Sequence, residues 1–83
     1  MDYAKTVKEL ISNIITENGY KLDDVLYVKE GNIYFLRVII DKDGIIDLND
    51  CSKVTHLINP ILDENDPIKE SYILDVCSKE KGE

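Results

Sequence analysis

Two runs of β-branched and aromatic residues, Leu22 to Glu30 and Ile33 to Ile40, are separated by nothing but Gly31-Asn32. Glycine adopts positive φ at no steric cost and asparagine tolerates it, so the pair predicts a two-residue turn and the runs predict a hairpin. A turn of that length sets the register: Glu30 faces Ile33, Val28 faces Phe35, Tyr27 faces Leu36, Leu26 faces Arg37 and Val25 faces Val38. Because side chains alternate across a strand, one face collects Val25, Tyr27, Tyr34, Leu36, Val38 and Ile40. The other collects Asp24, Leu26, Val28, Glu30, Ile33, Phe35, Arg37 and Ile39. The first set is almost without charge and is expected to meet helices; the second is expected to face solvent or another domain.

The helices are legible from periodicity. Tyr3, Val7, Leu10, Ile11 and Ile14 recur at helical spacing among polar residues, and Gly19 can end that helix as its left-handed C′ residue. After a turn at Asp43-Gly44, Asp47 can cap a second helix whose apolar face is Cys51, Val54, Ile58, Ile61 and Leu62. Pro60 lies within that pattern. Its ring nitrogen cannot bond to the carbonyl of His56, at a cost of about 3 kcal/mol in a helix interior, so a kink or an early end is expected there. Asp63-Glu64-Asn65-Asp66 and Pro67 then close the helix. A third strand, Ser71 to Ser78, alternates Tyr72, Leu74 and Val76 against Ile73, Asp75 and Cys77, while 79–83 form a charged tail expected to be disordered.

The order is α-β-β-α-β, which predicts an α+β fold: a two-layer sandwich with a three-stranded sheet and both helices on one face. With 83 residues there is room for one domain, over 1–78, that buries about 60% of its unfolded surface. Nothing reads as a membrane span or secretory leader, so a cytoplasmic protein is expected. The net charge of −7 repels phosphate backbones and favours basic partners.

No pattern supplies catalytic chemistry. Asp41-x-Asp43 followed by Gly44 resembles the start of a calcium loop, but the glycine and bidentate glutamate required at its sixth and twelfth positions are Ile46 and Ser52. Cys51 and Cys77 lack Cys-x-x-Cys spacing and have one histidine for company, too few ligands for structural zinc. Core packing of Leu74 and Val76 also places Cys77 across the sheet from Cys51, against a bond between them. His56 is the one conventional general base, yet at helical spacing it sits opposite the apolar face, beside Lys53 and Pro60. Adjacent Tyr34 and Phe35 point to opposite faces, unlike the stacking aromatics of an RNA-binding sheet. The competing class is an enzyme or a small regulatory domain, the latter either RNA-binding or metal-dependent, using His56 and the carboxylates of Asp41, Asp43 and Asp47.

From Gly44 onward the sequence carries an Asp-Gly turn, Asp50-Cys51, Val54-Thr55-His56 and Asp63-Glu64-Asn65-Asp66-Pro67-Ile68. With Gly19-Tyr20 and the strand Phe35 to Ile40, these collinear motifs resemble the N-terminal domain of the ribosome maturation factor RimP family over Leu10 to Ser78. The resemblance implies a non-enzymatic role in small-subunit assembly, without catalytic residues, metal or cofactor. It implies binding to the 30S subunit and its basic protein S12. Family members continue through Ser-Ser-Pro-Gly into a second, SH3-like domain; the sequence here reads Cys77-Ser78-Lys79-Glu80-Lys81 instead. The partner-binding candidates are the acids Asp63, Glu64 and Asp66, with His56, and Phe35 and Arg37 on the open sheet face. That face, with Leu26, Val28, Ile39 and Ile73, is also a candidate for self-association or docking of the second domain.

Overall fold

The computed structural model describes residues 2–79. Its elements follow the expected order: helix α1 (Tyr3–Glu17), strands β1 (Lys21–Glu30) and β2 (Ile33–Asp41), helix α2 (Leu48–Asn65) and strand β3 (Tyr72–Ser78). Both helices cover one face of a mixed sheet in the order β1-β2-β3, an α+β architecture. Strands β2 and β3 run parallel, a pairing that needs a long crossover, and α2 supplies it.

Asp2 caps α1 by accepting the Lys5 amide at 3.1 Å. The helix buries Val7, Ile11 and Ile15, with Tyr3, Leu10 and Ile14 packed around them. Ile15, absent from the stripe read from sequence, continues the buried line of Val7 and Ile11 by one turn. At the other end Gly19 takes φ +85°, while the amides of Gly19 and Tyr20 bond back to the carbonyls of Thr16 and Ile15. This is a Schellman motif, and its accompanying apolar contact is Tyr20, which turns into the core.

The hairpin has the expected pairs from Val25–Val38 to Glu30–Ile33. Of the two turn residues, Gly31 alone takes positive φ, at +64°. Toward its start, β1 slips by one residue between Leu22 and Asp24. That bulge brings Leu22 opposite Ile40 and against the core, where strict alternation would have turned it outward.

Asp47 and Asp50 form a reciprocal capping box at the start of α2. The helix buries Val54, Ile58 and Leu62, flanked by Cys51, Leu57 and Ile61. It does not end at Pro60: it runs on to Asn65, because Leu62 is held in the core and the turn around it stays helical. Asp66 stops it in the left-handed conformation (φ +43°), its amide donating to the Leu62 carbonyl at 2.8 Å.

Lys79, the first residue of the expected tail, is held to the sheet. The Lys79 amide donates to the Ile40 carbonyl at 2.9 Å, continuing the β2–β3 ladder, and the Lys79 ammonium lies 3.5 Å from Asp23. The remainder of the tail, 80–83, falls outside the described residues.

Candidate functional site

Three surfaces carry chemistry. The first is the corner where the β2–α2 loop meets the end of α1. Ile46 tucks into the core and Gly44 turns the chain with φ +99°. The capping box fixes Asp50, whose carboxylate accepts the Tyr20 hydroxyl at 2.6 Å and pairs with Lys42 at 2.9 Å. The Tyr20 hydrogen bond, followed by Lys42 and the Asp47 amide, holds the Asp50 carboxyl well below the usual carboxylate range. In return, the bond to Asp50 and then burial push the Tyr20 hydroxyl up to about 12. Lys42 and Lys53 also lie 5.9 Å from the centre of the Tyr20 ring. Beside this corner Ile45 and Leu48 are 85% and 77% exposed, the most exposed large apolar side chains among the described residues. Periodicity does not reveal them, since neither belongs to an apolar stripe.

The corner's ionic contact has a pH signature. In the folded protein Tyr20 titrates near 12 rather than near 10, so its bond stabilises fully below pH 10 and is lost as pH rises toward 12. Asp50 acts in the opposite direction: its contribution is present above the ordinary carboxylate range and is lost as pH falls below it. Tyr20→Phe is therefore expected to cost about 1 kcal/mol at neutral pH and to flatten the loss of stability between pH 10 and 12. Urea denaturation of both proteins at pH 7, 10 and 11.5 checks it; parallel alkaline limbs would contradict the assignment.

The second surface joins the end of α2 to β3. Asp63 and Asp66 line an open groove of about 470 Å³ together with Lys69, Glu70, Tyr72 and Leu74. Burial first, then the charges of Asp63 and Asp66, raise the Tyr72 hydroxyl. Glu64 is exposed near the same helix end and His56 is exposed farther up α2.

The third is the open face of the sheet. Arg37 pairs with Asp75 at 3.2 Å and Glu30 at 3.6 Å, and its guanidinium lies 5.8 Å from the centre of the Phe35 ring. These long side chains cover much of the apolar surface that strand alternation placed on this face. Ile39 is buried, Val28 and Phe35 are half-buried, and Leu26, Ile33 and Ile73 remain exposed. Cys77 stands opposite Ile39 with its thiol raised, chiefly by burial, which disfavours the reactive thiolate. The six candidates thus separate. Phe35 and Arg37 meet on the open face, Asp63 and Asp66 share a groove on the helical side, and the sheet lies between the two groups.

Where the helical layer meets the sheet, Tyr27 stacks on Tyr34 and meets Tyr3 edge-on, both at 5.2 Å. Among the described residues no group bonds to the buried Tyr27 hydroxyl.

The aspartates considered for metal binding have local duties. Asp41 accepts the Lys42 amide, Asp43 pairs with Lys21 at 3.4 Å and Asp47 caps α2. Among the described residues no three His, Cys, Asp or Glu side chains are placed to hold a metal ion.

Comparison with protein families matches residues 10–79 to the RimP N-terminal domain. The chain belongs to that family. Membership in the RimP family implies a role in ribosome maturation. It also gives the motifs physical meaning. Gly44, Asp50, Val54 and Ile68 turn, anchor or fill the core, and Asp66 is the left-handed helix stop. Among the described residues His56, Asp63 and Glu64 have no such duty, and all three are exposed. No described helix is long and apolar enough to cross a membrane.

Proposed function

We propose that this RimP-family domain is a non-enzymatic, cytoplasmic binding module in 30S subunit assembly, which contacts the immature subunit and its basic protein S12. The observation that carries the reading is the family match over 10–79 in a chain of net charge −7. Opposite net charges accelerate encounter and select the partner more than they deepen affinity. The acids at the end of α2 are the contact, because Asp63 and Glu64 stand exposed without a structural task. The SH3-like second domain of full-length family members belongs to the same reading; Leu26, Ile33 and Ile73 on the open face are the surface against which it, or a second copy of the domain, docks.

The expected result is capture of purified S12 that weakens about tenfold or more between roughly 0.05 and 0.5 M salt, as screening shortens the reach of the charges. Affinity measured across that range decides the matter. Binding that ignores salt, or no binding at either extreme, contradicts the proposal.

A further inference from the structure

The two edges of the sheet differ. β1 carries Lys21, Asp23, Asp24, Lys29 and Glu30 and is kinked by its bulge, features that keep an exposed edge from pairing. β3, Tyr72-Ile73-Leu74-Asp75-Val76-Cys77-Ser78, runs in unbroken register and has neither lysine nor proline. Its one charge, Asp75, is engaged by Arg37 of β2. In a parallel ladder alternate residues direct both backbone groups to the same side. The Lys79 amide bonds to β2, so Ile73, Asp75 and Cys77 also face β2, and the backbone groups of Tyr72, Leu74 and Val76 face outward. Among the described residues no strand lies beyond them.

The second observation is the groove alongside this edge. Tyr72 and Leu74 form its wall on the β3 side, and Asp63, Asp66 and Glu70 supply three carboxylates against the single ammonium of Lys69. A strand added to β3 would project every second side chain into that groove and the others beside Ile73 on the open face. We infer that the β3 edge accepts an extended segment of a basic polypeptide as a fourth strand, with its lysine or arginine side chains in the acidic groove. A second copy of the domain fits poorly. Antiparallel self-pairing centred on the strand sets Asp75 against its own equivalent, between two bodies of charge −7. The inference deepens the proposed function and rests on it for the basic nature of the partner.

The test uses a seven-residue peptide of alternating lysine and valine with blocked ends, and two versions N-methylated either at every lysine or at every valine. Amide exchange and chemical shifts of the domain are followed by NMR. Slowed exchange at Tyr72, Leu74 and Val76 is expected. One N-methylated peptide should bind about tenfold more weakly than the other, because side-chain direction and amide direction alternate together along a strand. Asp63→Asn, Asp66→Asn and Glu70→Gln combined should weaken the unmodified peptide by about tenfold; asparagine also tolerates the left-handed backbone at 66. Protection at β1 or nowhere, or equal binding of the two methylated peptides, overturns the inference, and that comparison needs no protein variant. S12 capture with no protection at β3 overturns the edge and spares the proposed partner; protection at β3 without S12 capture does the reverse.

Discussion

Leu36→Ala is expected to lower the unfolding free energy by about 3 kcal/mol, whereas Phe35→Ala, one position away, costs about 1 kcal/mol. Leu36 is fully buried in the central strand, paired with Tyr27 on one side and Leu74 on the other, and roofed by both helices. Such a site has neighbours on every side that cannot collapse into the space left behind, so the cavity term adds to the lost transfer energy. Phe35 points the other way. It is half-buried among Val28, Ile73 and the Arg37 guanidinium, where solvent and flexible side chains can fill the gap. A domain of 83 residues holds roughly 4 to 12 kcal/mol in total, so the Leu36 variant sits close to its folding threshold. Urea unfolding of both variants measures the contrast, and Phe35→Asp extends it, since it should keep a cooperative transition. Loss of folding in Phe35→Asp, with Leu36→Ala mild, would mean that the two faces are exchanged.

Pro60→Ala is expected to act in the opposite direction and stabilise the domain by about 2 kcal/mol. Within α2 the proline leaves the His56 carbonyl without its helical donor and crowds it with the ring, a cost of about 3 kcal/mol relative to alanine. Part of the gain is returned, because proline also restricts the unfolded chain, by about 0.4–1 kcal/mol. Pro60 is exposed, so the change removes no core contact. A rise in the urea midpoint with unchanged slope is the expected observation. An unmoved midpoint would mean that the His56 carbonyl is already satisfied by water on the outer face of the helix.

Pro60 also marks one limit of reading the chain residue by residue. Local chemistry predicted an interruption, but Leu62, two positions on, is locked in the core and carries the helix to Asn65. The bulge after Leu22 is a second case. Strand propensity gives no sign of it, and it arises where β1 must keep Leu22 against the helical layer. The groove was half legible. The acids Asp63 and Asp66 stand out in the sequence as a run that closes a helix, but Glu70 and Tyr72 join them only because α2 folds back beside β3.

Whatever depends on neighbours in sequence was determined by the sequence alone. Gly31-Asn32 sets the hairpin register, Gly19 and Asp47 mark helix ends, and alternation assigns Leu36 and Phe35 to opposite faces. These are short-range steric and hydrogen-bonding preferences, and they operate before the chain is compact. The tertiary structure alone decided that β2 is central, that β3 lies parallel to it as an open edge, and that Arg37 binds Asp75 across the sheet. It also decided that Tyr20 meets Asp50, thirty positions away. Such pairings depend on how two helices and three strands bury one shared core, and no local pattern encodes which distant residues that packing brings into contact.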